Sequence, residues 1–89
     1  MQLTLRYSDD SWTEVYDARG ARLFYDVGSA NSVQTLSGLF PLRVVLGNAS
    51  VVAVELDGHT IELSKLANSN GAINFAIDRS GRVRAVRIN

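Results

Sequence analysis

Four arginines stand close together near the C-terminus, at Arg79, Arg82, Arg84 and Arg87. All nine acidic residues precede them, so a formal net charge of zero conceals an acidic body and a basic end. Because guanidinium groups pair bidentately with carboxylates, a strand or tail with Arg82 and Arg84 on one face predicts binding to carboxylates of peptidoglycan, to an acidic partner or to an anionic surface. The alternative is a charged edge strand or a solvated tail, where such charges discourage aggregation between sheets.

A second candidate for binding is the pair of aromatic residues Trp12 and Tyr16. Strand alternation places both side chains on one face together with Glu14, but it does not decide whether that face points inward or outward. A large aromatic ring supplies much of a small core, so we expect Trp12, the only tryptophan, to be buried. The alternative is an exposed aromatic pair that contacts a protein partner or a glycan.

No group of residues predicts catalysis or metal binding. His59 is the only histidine and the chain has no cysteine, so neither a metal site nor a nucleophile with its base can be assembled. Three carboxylates, Glu14, Glu55 and Glu62, fall at outward positions of predicted strands, with no sign of the cleft that a glycosidase needs. The sequence therefore predicts no enzyme, no metal and no cofactor, and the neutral net charge argues against nucleic acid as a partner.

Short strands separated by turns must position these residues. Apolar alternation and turn residues predict strands over residues 2–7, 11–17, 22–27, 33–37, 42–46, 52–56, 59–63, 73–77 and 82–88. Asp17 to Gly20 is typical of a type I turn, and Asp57-Gly58 of the type I′ turn of a β-hairpin. Because no helical period is present, the sequence predicts a single all-β domain over residues 1–89, a small antiparallel β-sandwich, Ig-like or open barrel-like, of about seven to nine strands.

The last predicted strand is less regular than the others. Val83 and Ala85 share one face, whereas the apolar residues that follow fall on the other. This slip predicts a bulge or the end of regular pairing near Ala85. The sequence leaves open whether residues 82–88 pair with their own sheet, exchange with a second copy in an edge-strand homodimer, or form a tail.

The order and spacing of these turns and strands resemble one protein family. The matching pieces are Asp10-Ser11-Trp12-Thr13-Glu14-Val15, Asp17-Ala18 with Gly20, Leu23-Phe24, Leu36-Ser37-Gly38 with Pro41, Val44, Leu46-Gly47-Asn48-Ala49, Asp57-Gly58 and Ile61-Glu62-Leu63-Ser64. Together they resemble the C-terminal domain of RodZ-like bacterial cell-shape proteins over residues 3–77. The chain departs from the family pattern at Lys65-Leu66-Ala67-Asn68 and in a basic extension over residues 79–89.

The resemblance implies a binding role in the periplasm. RodZ-like proteins carry a cytoplasmic helix-turn-helix domain that contacts the bacterial actin homologue, then one transmembrane helix, a periplasmic linker and a β domain. This chain is therefore expected to be the periplasmic end of a single-pass inner-membrane protein, with the transmembrane helix outside the chain. It would help to couple the cytoplasmic actin-like scaffold to proteins of the cell-wall elongation complex. The alternative is a carbohydrate-binding module that touches peptidoglycan directly.

Overall fold

The computed structural model describes residues 1–64, 66 and 71–86, and within these ranges it contains nine β-strands and one short 3-10 helix. The strands are β1 (Leu3–Tyr7), β2 (Ser11–Tyr16), β3 (Arg22–Gly28), β4 (Val33–Leu36), β5 (Leu42–Leu46), β6 (Val52–Leu56), β7 (His59–Ile61), β8 (Ile73–Ile77) and β9 (Val83–Ala85). The 3-10 helix, Ala49–Val51, precedes β6. Each predicted strand is present, although β7 and β9 are shorter than predicted.

The strands form two sheets that pack face to face. Sheet A has the order β4-β1-β6-β7, and sheet B has the order β3-β2-β5-β8-β9. All pairings between these strands are antiparallel. This confirms the predicted fold class, an antiparallel all-β sandwich. The described residues include no helix of the length and apolarity that crossing a membrane requires.

The core lies between the sheets because alternate residues of the central strands point inward. Leu5, Val15 and Phe75, from three different strands, are fully buried, as the period of two requires of a half-buried strand. The inward rows predicted for β6 and β8 are also buried. Burying one large apolar side chain stabilises the fold by about 1.5–3 kcal/mol, so these rows supply much of the force that holds the sheets together.

Tyr7 of sheet A connects the two sheets at one end of the core. Its hydroxyl group forms a hydrogen bond with Thr13 Oγ1 at 2.7 Å, and burial raises the pKa of Tyr7 above its ordinary 10.0. Gly28, at the end of β3, leaves room for the tyrosine ring, because a Cβ atom there would lie 2.0 Å from Tyr7 Cζ. The β2–β3 hairpin of sheet B is therefore anchored to sheet A.

The turn between β2 and β3 has the predicted form. Gly20 has a φ of +81°, and its amide donates a hydrogen bond to the Asp17 carbonyl oxygen at 2.9 Å. The buried Asp17 carboxylate accepts hydrogen bonds from the Arg19 guanidinium and from the amides of Ala21 and Arg19, which together lower the pKa of Asp17 below its ordinary 3.8. Asp57-Gly58 also has positive φ at both positions, as predicted for the second hairpin.

β9 completes sheet B within the same chain. It pairs with β8, so residues 83–85 form an intramolecular strand in this structure. Regular pairing ends at Ala85, where the alternation was predicted to slip, although the Val86 amide still donates to the Asn74 carbonyl oxygen at 2.9 Å. Exchange of this strand in an edge-strand homodimer stays a prediction.

Candidate binding face

The outer face of sheet B gathers candidate residues from both ends of the chain. Alternation in β2 points Trp12, Glu14 and Tyr16 outward, and the strand register continues this face across all five strands. We call it the arginine–aromatic face and define it by Trp12, Glu14, Tyr16, Arg22, Tyr25, Arg43, Ala76 and Arg84. The aromatic pair and one arginine of the C-terminal group, predicted as separate candidates, thus lie on the same surface.

Trp12 is exposed over 37% of its surface, so the expectation that it belongs to the core is wrong. The inward positions of β2 are instead Ser11, Thr13 and Val15, which are all buried. The physical reason that Trp12 points outward is Glu14, which lies on the same face of the strand. Burying Trp12 would also bury Glu14, and a desolvated carboxylate costs far more free energy than an indole gains. The arrangement found is the alternative, an outward aromatic pair.

Glu14 holds the two aromatic side chains of β2 in place. Trp12 Nε1–H donates a hydrogen bond to Glu14 Oε2 at 2.9 Å, and the Tyr16 hydroxyl donates to Oε1 at 2.6 Å. These two hydrogen bonds lower the pKa of Glu14 below its ordinary 4.5, and the same carboxylate raises the pKa of Tyr16 above 10.0. Both rings are therefore positioned before any partner arrives, which reduces the entropy cost of binding.

A β-bulge brings two further residues to the face. The register between β2 and β3 shifts by one residue at Leu23, so Arg22 and Tyr25 lie on the same side of the sheet although they are three positions apart. Tyr25 packs edge-to-face against Trp12 with the ring centroids 4.8 Å apart. The Arg22 Cζ atom lies 4.4 Å from the centre of the Tyr25 ring.

Arg43 of β5 occupies the centre of the face. The register places it directly opposite Tyr16, and its Cζ atom lies 4.4 Å from the centre of that ring. Sequence reasoning missed Arg22, Tyr25 and Arg43 as site residues. Arg43 could have been found, because it alternates with inward apolar residues of β5 and so must point away from the core. The bulge that places Arg22 beside Tyr25 leaves no such signal in the sequence.

Two of the predicted C-terminal arginines flank a small hollow at one side of the face. The hollow has a volume of about 140 Å³ and is lined by Pro41, Ala76, Asp78, Arg82, Val83 and Arg84. Arg84 lies opposite Ala76 in the register, whereas Arg82 precedes the strand. Asp78 Oδ1 accepts hydrogen bonds from Ser80 and from the Arg82 amide, and these lower the pKa of Asp78 below its ordinary 3.8. Arg87, the remaining predicted site residue, lies outside the described residues.

The chemistry that this face offers is recognition. Among the described residues, no group of three or more histidine, aspartate or glutamate side chains is placed to hold a metal ion. His59 is exposed at the start of β7. The aromatic rings provide apolar area, and the guanidinium groups provide N–H donors for carboxylates.

A comparison with known protein families matches residues 4–75 to the family described as the RodZ C-terminal domain. The matched range contains β2, β3 and β5, the strands that carry most of the arginine–aromatic face. It ends within β8, so Arg84 on β9 lies beyond it. No solved structure matches the chain.

Proposed function

Because this chain belongs to the RodZ C-terminal domain family, we propose that it is a non-catalytic binding domain that serves a RodZ-like cell-shape protein. In this proposal the domain lies in the periplasm and is joined to the cytoplasmic part of the protein by a single transmembrane helix. It binds proteins of the cell-wall elongation complex and so helps to couple the cytoplasmic actin-like scaffold to wall synthesis.

The arginine–aromatic face supports a binding role. Trp12 and Tyr25 are 37% and 47% exposed, and they pack against each other on the outside of the sheet. Exposed aromatic residues and arginines are enriched at the centres of protein interfaces. The face is the outside of a five-stranded sheet, and such a broad surface suits a protein partner better than a small substrate.

Direct binding to peptidoglycan is a second candidate, which the exposed ring of Trp12 favours. An aromatic ring offers an apolar surface to a sugar, and neighbouring arginines can pair with carboxylates of the wall peptides. Titration of the domain with soluble peptidoglycan fragments tests this candidate. Shifts of the backbone amide signals around Trp12 and Tyr25 would support it, and unchanged signals would reject it.

The substitution Arg43→Glu in the full-length protein tests the first candidate in the bacterium that encodes it. The change removes the cation–π contact with Tyr16 and reverses the charge at the centre of the face. We expect altered cell width and the loss of crosslinks from a photoreactive residue at Val45, which neighbours Glu14 on the same face, to proteins of the elongation complex.

The matched control is Arg6→Glu, which makes the same change of charge on the outside of sheet A. Equal effects of the two substitutions at equal protein abundance would show that the arginine–aromatic face is not the binding surface. The proposed function itself fails if deleting the whole domain leaves cell shape and assembly of the elongation complex intact.

A further inference from the structure

Three arginines form a regular row across sheet B. The register aligns Arg22 with Tyr16, Tyr16 with Arg43, Arg43 with Ala76, and Ala76 with Arg84. We call Arg22, Arg43 and Arg84 the arginine row. It places an arginine on every second strand, from one edge of the sheet to the other. Because neighbouring strands lie about 4.8 Å apart, the arginine backbones recur about every 10 Å.

The charge of the arginine row is available to a partner. The arginine side chains that form ion pairs within the described part of the chain are those of Arg6 and Arg19, and neither belongs to the row. Glu14, the carboxylate of the face, accepts hydrogen bonds from Trp12 and Tyr16, and it also feels the charges of Arg43 and Arg22, but it forms an ion pair with neither arginine. Arg22 and Arg43 lie over tyrosine rings instead. A guanidinium group stacked in this way is held in position and keeps its N–H groups at the edge, where they can donate to an external anion.

Space for a ligand group exists beside Arg84, at one end of the row. The hollow of about 140 Å³ is lined there by Arg82, Arg84 and the buried Ala76, and also by Asp78. The Asp78 carboxylate already accepts hydrogen bonds from Ser80 and from the Arg82 amide, which leaves the two guanidinium groups to pair with a carboxylate of a ligand. Since water occupies about 30 Å³ per molecule in the liquid, the hollow has room for roughly four waters or for one side chain that ends in a carboxylate.

We propose that the arginine row binds an acidic, extended segment of a partner protein, whose carboxylates repeat about every 10 Å. The inference rests on the proposed function and names the chemistry of its partner. A polyproline II segment rises about 3.1 Å per residue with three residues per turn, so acidic residues at every third position point to one side about 9 Å apart. This spacing matches the row, and surfaces that bind such segments are lined with aromatic residues.

The probe is a peptide of three Glu-Pro-Pro repeats with blocked ends, in which the carboxylates lie along one side. It is titrated into the ¹⁵N-labelled chain of 89 residues. We expect shifts of the amide signals of Tyr16, Arg43, Ala76 and Arg84. Three Gln-Pro-Pro repeats have the same shape without charge and should bind at least about tenfold more weakly, as expected when charge complementarity sets affinity. Alternating Glu-Pro repeats turn successive carboxylates to different sides and should also bind more weakly.

Substitutions locate the contact. Arg43→Glu should weaken binding of the acidic peptide at least about tenfold, because it reverses the central charge of the row. Arg6→Glu, on the outside of sheet A, should leave the affinity unchanged. Added salt should weaken binding, since exposed charges are screened beyond about 10 Å at 0.1 M ionic strength. Thermal melts of both variants verify that they are folded.

Equal binding of the acidic and neutral peptides, or shifts confined to other surfaces, would overturn the inference. So would shifts along the row caused by soluble peptidoglycan fragments but not by the peptide, because the wall would then supply the carboxylates. If the peptide fails while Arg43→Glu still alters cell shape, only the acidic-segment inference falls. If the peptide binds as expected while deletion of the domain leaves cell shape and complex assembly intact, the proposed function falls instead.

Discussion

The two outer faces of the sandwich arise from the same alternation of residues yet carry different chemistry. The outside of sheet A presents small or β-branched residues such as Thr4, Ala53 and Thr60, and its Arg6 and Glu55 pair with each other at 2.8 Å. The outside of sheet B presents three aromatic rings and three guanidinium groups beside a single carboxylate of the defined face. The comparison shows that strand alternation produces an outward face, while the pairing of its charges decides what that face can bind.

The two faces differ in the hydrogen-bond donors that their carboxylates bind. On sheet A, Glu55 accepts a hydrogen bond from Arg6 and neutralises it. On sheet B, Glu14 accepts hydrogen bonds from Trp12 and Tyr16, which are uncharged. Besides these two hydrogen bonds, the charges of Arg43 and Arg22 lower the pKa of Glu14, but among the described residues neither arginine forms an ion pair. Their N–H groups are therefore free to pair with a partner's carboxylates, and the four predictions that follow test this contrast.

The largest effect on stability is expected for Gly28→Ala, because this change should weaken the packing of the two sheets against each other. The added Cβ atom would lie 2.0 Å from Tyr7 Cζ, and this buried ring joins the two sheets. Overpacking of this severity should lower the free energy of unfolding by about 3 kcal/mol or more. Urea denaturation measures the loss. Gly71→Ala is the control, because no atom of the described residues beyond its chain neighbours lies within 4 Å of its added Cβ. An unchanged midpoint for Gly28→Ala would show that the sheets are not locked together at Tyr7.

Trp12→Ala on sheet B should lower the stability of the fold more than a substitution on the outside of sheet A does. It removes the edge-to-face contact with Tyr25 and the hydrogen bond to Glu14, and the free energy of unfolding should fall by about 1–2 kcal/mol. Val33→Ala on the outside of sheet A removes a side chain that is 49% exposed and should change stability by less than about 0.5 kcal/mol. Chemical denaturation of both variants makes the comparison, and equal losses would show that the contacts of Trp12 with Tyr25 and Glu14 add no stability to the sheet B face.

Lowering the pH should destabilise the sheet B face by protonating Glu14. Its pKa lies below the ordinary 4.5 in the folded chain, so the stability that its ionised form contributes is fully present above pH 4.5. That contribution is lost as the pH falls through the folded pKa, because the unfolded chain binds the proton more readily. NMR titration of the Glu14 carboxyl carbon and of the Trp12 indole N–H signal follows the change, and Glu14→Gln should abolish it. A folded pKa at or above 4.5 would contradict the bracing role of Glu14.

The smallest effect is expected on sheet A. Arg6→Ala breaks the ion pair with Glu55, but the Arg6 side chain is 54% exposed. Exposed pairs typically contribute only about 0.2–1 kcal/mol, and added salt should reduce even this loss. Denaturation at low and high salt measures it. A loss above about 2 kcal/mol would mean that this pair stabilises the fold more than exposed ion pairs usually do.

Much of the fold was predictable because its signals are local. The buried rows of β1, β5 and β8 follow from apolar residues spaced by two. The turn at Gly20 follows from a positive φ that glycine adopts without steric cost.

The arginine–aromatic face was less predictable from the sequence. Alternation correctly grouped Trp12 with Tyr16, but the size of the indole favoured the wrong side, and the carboxylate of Glu14 at the same parity was the better signal.

By itself, the sequence determined the order of strands and turns, the inward rows and the resemblance to the family that the comparison then confirmed. Only the tertiary structure decided that Arg22, Arg43 and Arg84, which are far apart in the chain, form one row. Alternation depends on each residue and its neighbours in the chain, so it can be read locally. The row depends on which strands pair and on the bulge at Leu23, and these result from packing the whole core.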